Sequence, residues 1–117
     1  MTLAELYEAV GGDYSNVLER LGDKQTIQKF VLKFSDDSTY DRLLRYLREK
    51  DMKHAFYEAH TLKGITLSLG FDRLGSCVGT LCENLRNETA PSEILLQQLK
   101  TEFQCVNTAI NDLKNCI

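Results

Sequence analysis

A chain of 117 residues, 43% apolar and 26% charged, is long enough for one proper core and too short for two. That length excludes an enzyme assembled from a nucleotide-binding domain and a substrate domain. A formal charge of −3, from 14 basic against 17 acidic residues, argues against a nucleic-acid backbone binder, which concentrates a basic excess. No stretch approaches the roughly 18 apolar residues of a membrane span. Met1-Thr2-Leu3-Ala4-Glu5 lacks the basic start and apolar run of a secretory leader. A cytosolic chain is therefore expected, with Cys77, Cys82, Cys105 and Cys116 as small, reduced, buried apolar residues. No Cys-x-x-Cys pair is present, so no structural zinc or other metal site is expected.

The apolar period is helical nearly throughout. Leu3, Leu6, Tyr7 and Val10 follow Thr2, with Glu5 three residues on, which predicts a capping box, a short helix and a stop at Gly11-Gly12. Val17, Leu18 and Leu21 predict a second short helix ended by Gly22. Asp23 caps a third, carrying Ile27, Phe30, Val31 and Phe34. Ser35-Asp36-Asp37-Ser38 reads as a break, with the acidic pair only breaking or capping helices. Ser38 with Asp41 is expected to cap the next helix, whose Tyr40, Leu43, Leu44 and Leu47 face inward while Arg42, Arg45 and Arg48 face water.

Asp51 opens a longer helix with the core stripe Met52, Ala55, Phe56, Ala59, Leu62, Thr66 and Leu69, ended by Gly70. Beyond it Leu74, Val78, Leu81, Cys82 and Leu85 form another face. Gly75 and Gly79 there cost roughly 1 kcal/mol each in helix propensity, so close packing by a neighbour is expected. Asn87 to Pro91 is the clearest loop, with proline in the first turn of the last helix. That helix shows the seam Leu96, Leu99, Phe103, Val106, Ile110, Leu113 and Ile117. No segment alternates with period two. The expected fold is all-α: an antiparallel four-helix bundle with one or two short N-terminal helices. The chain reads as a single domain over 1–117, with the short helices in 1–22 and the bundle in 23–117.

Two histidines are present. At about 100° per residue, His60 shares its side of the helix with Lys53, Phe56, Lys63, Gly64 and Leu67. It is a flank residue, supported by apolar neighbours and open at its outer edge. Imidazole is a usable nucleophile near neutral pH, its reference pKa being about 6.5. Lys63 would attract and offset a phosphoryl group, and Gly64 removes the side chain that would crowd the ring. Taken singly, each has a plainer explanation: a surface histidine, a solvated lysine, a glycine for close packing. His54, on the opposite flank beside Glu58, reads as a solvated surface residue.

The run Ala59-His60-Thr61-Leu62-Lys63-Gly64, followed by Leu69-Gly70, resembles the signature of histidine-containing phosphotransfer (HPt) domains. Placed mid-helix in a small bundle, it extends the likeness from about Asp23 to Arg86. The resemblance implies a phosphorelay carrier without its own kinase or ATP site. A receiver-domain aspartyl phosphate would supply the phosphoryl group to His60, and another receiver would take it. Lys63 would serve as electrostatic partner and Gly64 as clearance. No cofactor is implied on this chain; Mg²⁺ is expected on the receiver. Receiver domains are the implied partners, a hybrid histidine kinase among them. Phe56 and Leu67 would anchor them, the helix around Ile27 to Phe34 would provide the rest of the surface, and Lys53 and Tyr57 would form the rim.

One departure is the bulk after Lys-Gly, where the family has small residues. Ile65 is expected to point away from His60 and to pack against another helix or stay partly exposed, and Leu67 to narrow which receivers dock. The starting methionine and the length favour a free-standing monomer. Two other readings compete. One is an adaptor bundle that docks a receiver without carrying phosphate. The other is a metal-carboxylate bundle enzyme, disfavoured because neither histidine has a glutamate three residues before it. No glycine-rich phosphate loop is present to support kinase chemistry.

Overall fold

The computed structural model describes residues 1–116, so Ile117 of the last seam lies outside the described residues. Seven helices follow in order: α1 Leu3–Ala9, α2 Tyr14–Leu21, α3 Lys24–Phe34, α4 Thr39–Arg48, α5 Met52–Leu69, α6 Asp72–Arg86 and α7 Glu93–Lys114. No strand occurs among the described residues. The caps explain the boundaries. Thr2 and Glu5 form the expected capping box, and Asp13, Asp23, Asp51 and Ser92 each accept a backbone N–H in the first turn of their helices. An uncapped helix leaves those donors unsatisfied, at a cost of about 1 kcal/mol.

Two expected starts differ. Ser38 makes no side-chain cap bond, because its hydroxyl accepts from the Arg42 guanidinium at 2.5 Å; Asp37 accepts the Thr39 N–H instead, at 2.8 Å. Pro91 precedes the N-cap Ser92 rather than entering the first turn.

Helices α4 to α7 form the up-and-down bundle, each packed on the next. Stacking of Tyr40 on Phe103, ring centres 3.7 Å apart, closes α4 onto α7. Leu43, Leu62, Leu74, Leu81, Leu99 and Ile110 fill the interior. Each such side chain contributes roughly 1.5–3 kcal/mol of burial free energy. Thr66, fully buried, satisfies its hydroxyl on the Leu62 and Lys63 carbonyls at 2.9 and 3.0 Å. A Cβ at Gly75 would sit 3.2 Å from that hydroxyl, so glycine permits the close α5–α6 approach the spacing predicted. α3 meets α5 and α7 through buried Ile27, Val31 and Phe34.

Two readings are corrected. Arg42 is not purely solvated, because it reaches across to Glu58 on α5 at 3.1 Å. The four cysteines are unpaired, but only Cys82 is fully buried and Cys116 is exposed. The last turn of α7 leaves Cys116 beside the chain's amino terminus, at 2.6 Å.

Candidate functional site

α5 is built to present one side chain at its middle. Ala55, Ala59, Leu62, Thr66 and Leu69 take the core positions, which turns His60 outward on a ridge between two neighbours. On the α6 side, Phe56 stacks on the imidazole with ring centres 6.0 Å apart. Arg86 lies over the far ring of that pair, 5.8 Å from its centre. Lys63 is half-buried with its stem beside Gly79, where a Cβ would come 3.8 Å from Lys63 Cε. Burial pushes the nearby Cys82 thiol up, against the pull of Lys63 and Arg86. Among the described residues Lys63 has no ion-pair partner, whereas Arg86 is held by Glu83 at 2.6 Å.

On the α3 side an open cleft of about 650 Å³ runs beside the ridge. Leu21, Phe30, Lys33, His60, Gly64 and Ile65 are among its lining residues. Gly64 is fully open there: a Cβ added to it would meet nothing within 4 Å. The close-packing explanation for this glycine is thereby set aside, since nothing among the described residues needs the space.

The large exposed apolar side chains among the described residues are Phe30, Tyr57, Leu67 and Ile94. Three of them surround the histidine. Tyr57 stands one turn before it, Leu67 two turns after it, and Phe30 lines the cleft with it. Lys53 is exposed two turns before His60. The structure thus brings His60, Lys63 and Gly64 together on one stretch of surface, with Lys53, Phe56, Tyr57 and Leu67 along its margin.

Several placements differ from the expected ones. Ile65 is half-buried and packed against the core, as expected, but it also lines the cleft that holds His60, because α3 approaches α5 on that flank. Leu67 is half-exposed and leans toward α6, where its Cδ2 would lie 3.5 Å from a Cβ on Gly75. From the third helix Ile27 and Val31 are buried in the core, and the outward contribution comes from Phe30 and Lys33. Thr61 and Ser68, also in the cleft lining, and Arg86 carried no signal in the sequence.

His54 is exposed as expected, but it is not merely solvated. Its Nδ1 lies 2.8 Å from Asp51 Oδ2, and its ring stacks on Tyr46 at 5.1 Å. Its neighbour Glu58 is taken by Arg42. The spacing of aspartate at the cap and histidine three residues on could have signalled this tie. Among the described residues no group of His, Cys, Asp and Glu is gathered closely enough to hold a metal ion, and no helix is long and apolar enough to cross a membrane.

Chemically the arrangement offers an accessible ring nitrogen, a free cation one turn away, and an apolar margin for a protein partner. A family model described as the Hpt domain matches residues 25–113, and the chain belongs to that family of phosphotransfer modules of two-component signalling. No curated protein matches the chain, and no solved structure does.

Proposed function

We propose that this protein is a phosphorelay carrier, acting as a monomeric single domain in the cytoplasm. It accepts a phosphoryl group from a receiver-domain aspartyl phosphate onto His60 and passes it to another receiver. A His60 ring nitrogen attacks phosphorus, an N–P bond forms, and the P–O bond to the receiver's aspartate breaks. The electron pair leaves with the carboxylate, and the other ring nitrogen keeps its proton. Lys63 offsets the charge of the adduct. The receiver with its Mg²⁺ supplies most of the transition-state stabilisation, so this chain contributes the nucleophile, a cation and the docking margin, with no kinase or ATP site of its own.

The observation that carries the reading is the pairing of an outward His60 with a Gly64 at which an added Cβ would meet nothing within 4 Å. A helix-interior glycine costs roughly 1 kcal/mol against alanine. Here that cost serves no internal contact and clears the approach to the imidazole. The test is transfer from a phosphorylated receiver to wild type and to His60→Gln. An acid-labile, base-stable label on wild type alone is expected. Binding of the receiver without any label, unaffected by the substitution, would leave an adaptor bundle.

A further inference from the structure

The matched span begins at residue 25, which leaves α1 and α2 outside it, yet both helices are tied to the end of the site helix. The last carbonyls of an α-helix have no partner within it. No backbone donor reaches those of Ser68 and Leu69 among the described residues. Arg20 of α2 donates Nη1 to Ser68 O at 3.1 Å and Nη2 to Leu67 O at 3.3 Å. Its Nε is braced on Asn16 Oδ1 at 2.9 Å. The buried Tyr7 of α1 donates its hydroxyl to Leu69 O at 2.6 Å. The guanidinium also places a positive charge where the helix dipole is negative.

The backbone is shaped for this contact. Gly70 has φ 73°, and a Cβ on it would collide with Val17 of α2. A Cβ on Gly12, in the α1–α2 connection, would collide with the Gly70 carbonyl. The clamped residues face the site: Ser68 and Leu69 line the cleft that holds His60 and Gly64, beside Leu21 of α2, and Leu67 is part of its exposed apolar margin.

We infer that α1 and α2 are a positioning clamp for the phosphotransfer surface, with Arg20 and Tyr7 as positioning residues that fix the last turns of α5 for docking a receiver. This inference rests on the carrier reading. Arg20 and Tyr7 do not line the cleft that holds His60 and have no place at the phosphoryl group. The clamp therefore acts on the encounter with a protein donor and not on the reactivity of the imidazole toward a small one.

The experiment compares wild type, Arg20→Gln and Tyr7→Phe in three assays, all run well below the melting temperature of each variant. These are labelling by phosphoramidate, transfer from a phosphorylated receiver at varied concentration, and amide hydrogen exchange. Both variants should label with phosphoramidate at the wild-type rate. Both should raise the half-saturating receiver concentration about threefold to tenfold, the range a lost hydrogen bond supplies. Exchange should quicken in residues 65–70 and not in the first half of α5. Unchanged half-saturation in both variants, with wild type transferring normally, would overturn the clamp alone. Exchange quickened uniformly across α4 to α7 would make the two residues general stabilisers and likewise overturn it. A wild type that takes no phosphoryl group from the receiver would overturn the carrier reading, and the inference with it.

Discussion

His54 and His60 stand on the same helix, both exposed, and their surroundings are opposites. His54, in the first turn, is tied to Asp51 at 2.8 Å and covered on one face by Tyr46. It completes the start of a helix. His60, at mid-helix, is supported from one side by Phe56 and faces open space beside Gly64 on the other. Three of the four large exposed apolar side chains lie around it. Exposure alone therefore does not mark a nucleophile in this fold; what separates the two rings is unused capacity. Both rings stack on an aromatic neighbour, but His54 also has its hydrogen bond within the chain, whereas His60 has a free approach, a lysine with no ion-pair partner among the described residues and a surface suited to a partner.

The sharpest way to break that comparison is to delete each ring in turn. His60→Gln is expected to abolish transfer from a receiver with melting unchanged within about 0.5 kcal/mol, as for an exposed site. His54→Gln should keep transfer and lose a little stability, because Asp51 loses a partner. Radiolabel transfer and thermal melts on the same samples check both.

A substitution at Gly64 should separate stability from function in opposite directions. Gly64→Gln places a better helix former at an interior position where a Cβ meets nothing within 4 Å and the rest of the side chain enters the open cleft. It should stabilise the fold by about 0.5–1 kcal/mol while lowering receiver-dependent transfer at least tenfold. A variant that melts higher and transfers normally would mean the clearance is idle.

Lys63→Ala should have a smaller effect. The residue is half-buried, and water screens part of the interaction of its charge with a phosphoryl group, so transfer should fall about fivefold. Lys63→Arg should restore most of it. Initial rates at fixed receiver concentration report this directly.

The smallest effect belongs to the His54 end, is present at neutral pH and is lost in acid. The side-chain and backbone hydrogen bonds from His54 hold the Asp51 carboxyl below its ordinary value near 3.8. A carboxyl depressed in the folded state stabilises the fold above the unfolded value and loses that contribution as pH falls through the folded one. Asp23 behaves alike through Thr26. Melting temperature should therefore hold from neutral pH to about pH 4 and drop below it. Asp51→Asn should be slightly less stable than wild type at pH 7 and indistinguishable from it near pH 2.

The sequence made the site helix legible because its information is local. Caps such as Thr2, Asp23 and Asp51 act within three residues, and a 100° step suffices to bring His60, Lys63 and Gly64 onto one side. What escaped it was tertiary. The hydroxyl of Tyr7 meets a carbonyl 62 residues away, and Arg20 reaches one 48 residues away, distances no periodicity encodes. Ile65 packs against the core while partly exposed, as expected, but helix geometry gives only its angle and not that the space there is shared with His60. Ser38 failed as a cap for a related reason, its hydroxyl being claimed by an arginine one turn on. Gly64 and Gly75 look identical as letters, and only the structure separates the one that is open from the one packed against Thr66.

The most direct test of the central claim is to locate the phosphoryl group. Wild-type protein is labelled from a phosphorylated receiver and digested under alkaline conditions that preserve phosphohistidine. The fragments are then sequenced by mass spectrometry to separate His54 from His60. The account predicts the group on His60 alone. A group on His54, or divided between the two rings, would contradict it.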